Sequence, residues 1–94
     1  MRPGRPFRQA AGAGAIVFDA GPGGNLDLVM LGAHVVAAAA AATVVIREVD
    51  GAGAIIAELA AVVNGNDELT IPVIFKKALH VTVTGAGASC IVYV

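Results

Sequence analysis

The sequence predicts an all-β protein, specifically a small, jelly-roll-like antiparallel β-sandwich with an extended N-terminal arm. Three observations predict it. Short β-branched or alternating segments recur about every 8–12 residues, turn residues separate them, and 94 residues suffice for one domain with a modest core. We therefore expect an arm over residues 1–14 and a single sandwich over residues 15–94.

The arm is predicted from its composition. Residues 1–14 contain two prolines and three glycines, and each proline removes a backbone hydrogen-bond donor. An apolar run at 15–18 is the candidate first strand, and the Gly- and Pro-rich segment 19–25 is a loop.

The middle of the chain contains a predicted hairpin. Residues 43–49 are β-branched and end at Asp50-Gly51, a strong turn dipeptide, after which residues 51–59 form the return strand. Ahead of it, Val35-Val36 favours a strand near 33–37 and a small-residue bend before Thr43. A short helix over 33–42 is the alternative, because alanine is the best helix former.

Alternation predicts the remaining strands. The segment 64–67 (Asn-Gly-Asn-Asp) is the clearest turn, since these residue types tolerate positive φ. Residues 69–75 then alternate, and Pro72 places that strand at an edge or a bulge. Residues 79–84 alternate as well, Gly85-Ala86-Gly87 forms a turn, and residues 89–94 form the last strand. The side chains predicted to share one face of the first alternating segment are Leu69, Ile71, Val73 and Phe75.

The scarcity of charge suggests an assembly component. Only 14% of the residues are charged and 57% are apolar, whereas a typical soluble domain is about 25% charged. So few charges cannot cover the surface of a small domain, and contiguous apolar surface marks a site for a partner.

The charges are also unevenly distributed. Arg2, Arg5 and Arg8 make the first nine residues basic, whereas residues 10–94 hold three basic and seven acidic side chains, a net −4. A basic arm on an acidic body is typical of docking, and Phe7 within that arm is a candidate anchor in a partner. With an overall charge of −1, we expect no nucleic-acid partner.

A membrane segment is a weaker alternative. Residues 28–46 contain no charge over 19 positions, a length that could span a bilayer. The alanine run 37–42 dilutes the strongly apolar residues on which spanning helices depend, and no basic cluster flanks the segment. We therefore expect no membrane partner.

The residues that could support chemistry do not form a recognisable site. Gly-Ala-Gly-Ala occurs at Gly12, Gly51 and Gly85, but no copy has the Lys-Ser/Thr of a phosphate-binding loop. His34, His80 and Cys90 lack the close spacing of zinc ligands. Neither calcium-loop spacing nor a carboxylate pair is present. We expect no catalysis, no metal and no cofactor.

The chain resembles the small β-sandwich virion proteins of tailed bacteriophages, including capsid decoration (cement) proteins. Four segments, together with the last strand that ends at Tyr93, carry the resemblance: 32–36 (GAHVV), 43–51 (TVVIREVDG), 71–75 (IPVIF) and 78–85 (ALHVTVTG). The Lys76-Lys77 pair departs from the family, in which a glycine-containing turn would be comfortable.

The resemblance implies a non-enzymatic structural protein on the capsid exterior, a homotrimer that holds the major capsid protein shell together. In that role Arg2, Arg5 and Arg8 would steer the arm onto the shell and Phe7 would anchor it. The alternative is a glycan- or protein-binding module on a phage tail or host surface, which requires an exposed pocket that four aromatic residues hardly provide.

Overall fold

The computed structural model describes residues 5–21 and 27–94. All the regular secondary structure within these residues is β-strand. The all-β prediction is confirmed. The strands are β1 (Pro6–Ala10), β2 (Ala15–Asp19), β3 (Asp27–Met30), β4 (Gly32–Val36), β5 (Ala42–Glu48), β6 (Ile55–Ala61), β7 (Asn66–Leu69), β8 (Val73–Lys76), β9 (Ala78–Thr84) and β10 (Ser89–Tyr93).

The chain is folded as one long nested hairpin. Strand β5 pairs with β6 at its tip, and outward from that tip β4 pairs with β7, β3 with β8, β2 with β9 and β1 with β10. All of these pairs are antiparallel. Rolling the long hairpin adds two further antiparallel pairs, β10 with β4 and β5 with β9.

The rolled hairpin gives two four-stranded sheets and one small sheet. The first sheet has the order β1-β10-β4-β7, the second β2-β9-β5-β6, and β3 and β8 form the two-stranded third. Eight antiparallel strands in two facing sheets are the jelly-roll arrangement. The β-sandwich prediction is therefore confirmed.

The core lies between the two sheets. Alternate residues of β9 point into it: Leu79, Val81 and Val83 are buried, as predicted. A chain of three aromatic rings extends the core towards β8. Phe7 packs edge-to-face on Phe18 with 5.5 Å between ring centroids, and Phe18 packs on the fully buried Phe75 at 5.8 Å.

The N-terminal segment differs from the expected arm. Pro6–Ala10 is strand β1, which pairs along its whole length with β10. Arg5 and Val94 extend the ladder by exchanging two backbone hydrogen bonds of 2.8 and 3.0 Å. The sandwich therefore begins before residue 15, because an extended proline-containing segment can serve as an edge strand.

The strand expected over 69–75 is broken in the middle. Strand β7 ends at Leu69, β8 begins at Val73, and Ile71 is 69% exposed instead of sharing the buried face. Pro72 lies in the break, where its missing donor costs no ladder hydrogen bond.

The two ambiguous regions are strands. Gly32–Val36 forms β4, so the strand prediction near 33–37 is confirmed against the helical alternative. The uncharged stretch 28–46 contributes to β3, β4 and β5. Within the described residues, no helix has the length and apolar character needed to cross a membrane.

The turn after β5 holds a strained residue. Val49 has φ of 74°, a left-handed conformation that costs a β-branched residue about 1–2 kcal/mol. Its side chain is partly exposed and its N–H donates to the Ala78 carbonyl at 2.9 Å, a bond that glycine would retain.

We expect Val49→Gly to stabilise the protein by about 1 kcal/mol, since relief of strain exceeds the entropy that glycine adds to the unfolded chain. Val63→Gly is the matched control at an exposed turn position without positive φ, and it should destabilise. Urea unfolding midpoints measure both changes, and a lower midpoint for Val49→Gly would contradict the strain argument.

Candidate interaction surfaces

One end of the sandwich is built from four loops without a charged residue. Strands β1, β4, β6 and β9 end there, and their partners begin there. The connecting loops are 11–14 (AGAG), 37–41 (AAAAA), 62–65 (VVNG) and 85–88 (GAGA). We call these four loops the uncharged end; Asn64 is its one polar side chain.

The loops of the uncharged end contact one another through backbone atoms. Asn64 N–H donates to the Ala38 carbonyl at 2.8 Å, and the Gly65 carbonyl accepts from Ala37 N–H at 2.9 Å. Val62 and Val63 remain 75% and 52% exposed. The surface is therefore apolar and low in relief, because most of its side chains are methyl groups or hydrogens.

The opposite end of the sandwich carries charges. The connections there follow β2, β5 and β8, and the N-terminal side of β1 lies at the same end. The charged residues at this end include Arg5, Asp19, Glu48, Asp50, Lys76 and Lys77, and the Lys76 N–H donates to Glu48 Oε1 at 3.0 Å. Charge is thus distributed asymmetrically along the strand direction: the loops at one end carry charged residues, and the four loops at the other end carry none.

The predicted partner-binding arginines occupy different places. Arg2 lies outside the described residues. Arg5 stacks on Phe7 with its guanidinium carbon 5.5 Å from the ring centroid. Arg8 is exposed on the outer face of β1, where its Nη2 donates to Ser89 Oγ at 3.3 Å.

Phe7 is not an exposed anchor in this structure. Its cross-strand partner is the buried Val92, so its ring is on the core side of the first sheet, against Phe18. A ring already packed within its own chain has less surface to offer a partner. The sequence signal that could have indicated this is the alternation of β1, which places Phe7 and Gln9 inward.

A carboxylate links the edge strands β6 and β7. Asp67 Oδ1 accepts from Glu68 N–H at 2.9 Å, and Oδ2 accepts from Ala60 N–H at 3.3 Å. These donors belong to edge strands of different sheets. The Asp67 carboxylate therefore accepts hydrogen bonds from two edge-strand N–H groups that could otherwise pair with a strand of another chain.

The outer face of the first sheet is formed by β1, β10, β4 and β7. Its central cross-strand row is Arg8, Ile91, His34 and Glu68, with one residue from each strand. We call this side of the sheet the β1–β7 face. The other outward residues of its strands are Pro6, Ala10, Gly32, Val36, Asn66, Ser89 and Tyr93.

His80 is held between two of the repeated Gly-Ala-Gly-Ala segments. A Cβ on Gly14 would overlap the His80 Cε1 and Thr82 Oγ1 atoms, and one on Gly51 would lie 3.1 Å from His80 Nε2. Glycine is thus used where backbone passes directly over the imidazole. Within the described residues, His80 Nδ1 is the one buried side-chain nitrogen or oxygen without a hydrogen-bond partner.

The three residues considered as metal ligands or nucleophiles, His34, His80 and Cys90, do not lie together in the structure. His80 is on the outer face of the second sheet, whereas His34 and Cys90 lie on opposite faces of the first. Burial raises the pKa of the Cys90 thiol to about 11, despite a hydrogen bond from the His34 backbone that lowers it. Residues 5–21 and 27–94 contain no cluster of three or more potential metal ligands.

A shallow surface groove runs along β5 and β6. It has a volume of about 500 Å³, and its side-chain lining includes Thr43, Val45, Glu58, Ala60 and Asp67. No aromatic ring lines it.

Comparison with family models, curated proteins and solved structures finds no match for this chain. The fold and its surfaces therefore provide the basis for the functional argument.

Proposed function

We propose that this protein is a non-enzymatic structural component of a virion, a capsid decoration protein that binds the shell formed by a major capsid protein and also associates with its own copies. The observation that carries the proposal is the uncharged end. Four loops from separate parts of the chain present an apolar, low-relief surface there, with Val62 and Val63 largely exposed.

An apolar surface of this kind suits burial against another protein. Burial of exposed apolar area is favourable by about 25 cal/mol per Å². An uncharged surface also avoids the cost of desolvating charges at a contact. Because its glycine and alanine loops have little side-chain freedom, they lose little entropy when they are covered.

The fold is compatible with this role. Jelly rolls form viral capsid domains as well as lectins and cupins. The architecture alone does not decide between these uses, because one fold serves many functions. Binding at many equivalent shell positions would add weak contacts through avidity.

The basic residues have a separate role in the proposal. Strand β1 runs along one side of the sandwich, with Arg8 at its middle, and Arg5 lies just before it at the charged end. Together with Arg2, these cations would steer the protein towards an acidic shell and affect the association rate most strongly at low salt.

The proposal is tested by placing one charge on the uncharged end. Val62→Glu should reduce co-sedimentation with empty heads at least tenfold, because a carboxylate would then have to be buried at the contact. Both the 75% exposure of Val62 and its position outside any strand indicate that the variant will fold.

Ile71→Glu is the matched control, a similar change at a 69% exposed loop residue on the other end. It should bind heads like the wild type, and circular dichroism should show that both variants remain β-rich. Equal head binding by all three proteins would refute a contact through the uncharged end. Failure of the wild-type protein to bind heads would refute the decoration role.

A further inference from the structure

The β1–β7 face carries its two charges at opposite edges. Among the described strands of that sheet, Arg8 and Glu68 are the charged outward residues, and both belong to the central row. Ile91 and His34 separate them along that row. With neighbouring strands about 4.8 Å apart, Arg8 and Glu68 stand about 14 Å from each other. Each is exposed.

The centre of the face is apolar or small. Strands β10 and β4 contribute Ile91, Tyr93, Ser89 and Val36 around His34; Gly32 is buried, and Val36 is 47% exposed. None of the four strands of this sheet contains a lysine, a residue that commonly protects exposed β-strands from association with another chain. A sheet face of this kind can pack against another sheet at a separation of about 10 Å.

We propose that the β1–β7 face binds a second copy of this chain through the same face, with a two-fold axis parallel to the strands. This symmetry reverses the central row of the partner. Arg8 of each copy then faces Glu68 of the other, and Ile91 faces His34. The contact gains two ion pairs and buries the apolar centre.

The charges select this symmetry over the alternative. A two-fold axis lying along the row would place Arg8 against Arg8 and Glu68 against Glu68, which is repulsive. The side chains of Arg8 and Glu68 are long enough to meet even when the sheets cross at the usual angle of about 30°. Arg8 also contacts Ser89 Oγ at 3.3 Å, which holds its guanidinium over the face.

The area of the face predicts a weak dimer. Four strands of about five residues cover roughly 300–400 Å² per copy, so a dimer buries about 600–800 Å² in total, less than a standard interface. We therefore expect dissociation constants of about 10–500 µM, with dimers favoured at the high local concentration of a shell.

The inference deepens the self-association part of the proposed function and rests on it, but it does not depend on the shell. Purified protein alone is sufficient for the test, so failure to dimerise and failure to bind heads are separate results. The proposed symmetry also differs from the trimer that the family resemblance implies.

The experiment is a charge swap followed by sedimentation equilibrium over a wide concentration range. Wild-type protein should form dimers. Arg8→Glu alone and Glu68→Arg alone should each weaken dimerisation at least tenfold, because both symmetry-related pairs become repulsive. The double variant should restore it. An equimolar mixture of the two single variants should form heterodimers, since each then presents the charges that the other lacks.

Restoration in the mixture can arise only between chains. Val36→Glu should abolish dimerisation by placing a carboxylate within the contact, whereas Val62→Glu, outside the face, should leave dimerisation intact. Circular dichroism checks the fold of every variant. A monomer at all concentrations, a trimer, or single variants that fail to associate when mixed would each overturn the proposal.

Discussion

Replacing Phe75 by alanine is expected to cost about 3–5 kcal/mol of unfolding free energy, the range for a fully buried aromatic side chain. The ring is 0% exposed and packs edge-on against Phe18, which in turn contacts Phe7. Phe75 belongs to β8, so its loss also weakens the packing of the small β3–β8 sheet on the core, which Met30 of β3 shares. A domain of this size is stable by only about 5–14 kcal/mol.

Urea unfolding measures the effect. Phe75→Leu should cost less, roughly 1–2 kcal/mol, because it leaves a smaller cavity. The neighbouring Ile74 is 62% exposed, and Ile74→Ala should change stability by no more than about 0.5 kcal/mol. If Phe75→Ala were no more destabilising than Ile74→Ala, the aromatic chain would not be the structural link that we infer.

Gly53→Ala should destabilise the protein by about 2–3 kcal/mol, a cost typical of forcing atoms into occupied space. A Cβ there would overlap the Glu48 carbonyl oxygen, a backbone atom that cannot rotate away, and would lie 3.2 Å from the Asp50 carbonyl. The turn would have to open, which threatens the bonds from Glu48 N–H to Ala54 O and from Arg47 to Gly53 O.

Ala52→Ser is a suitable control for this turn, because residue 52 is exposed and adjacent. It should be nearly neutral. Thermal unfolding, monitored by circular dichroism, should separate the two variants by at least 8 °C, since 1 kcal/mol corresponds to about 4–8 °C in a domain of 60–100 residues. A Gly53→Ala protein as stable as the wild type would show that the turn at the hairpin tip can rearrange freely.

Local patterns were sufficient to predict much of the fold. The alternation of Leu79, Val81 and Val83 placed β9, and the turns at Asp50-Gly51 and 85–87 fixed the neighbouring strands. Asn64 does adopt positive φ, as its residue type suggested, at 57°. Lys77 is at φ of 67°, which explains why glycine would be comfortable at that position.

The features that were missed depend on distant partners. Strand β1 contains Pro6 and Arg8, residue types that indicate an extended arm when the local sequence is considered alone. Its pairing with β10, more than 80 residues from these positions, makes it a strand of the sandwich. Because Arg5 and Ala11 direct their backbone groups to Val94 and Ala88, which flank β10, Pro6 faces the open edge, where its missing donor is harmless. The uncharged end could not be predicted for the same reason. Its four segments are scattered along the chain, and only the nested topology brings them together.

The nested hairpin also constrains how the protein is made. Every pairing among the described strands joins one of β1–β5 to one of β6–β10. A nascent chain emerging from a ribosome therefore has no ladder to form until its second half follows. Synthesis delivers the first five strands as an unpaired polypeptide, and the earliest native pairing, at β5–β6, becomes available only when the midpoint has been passed.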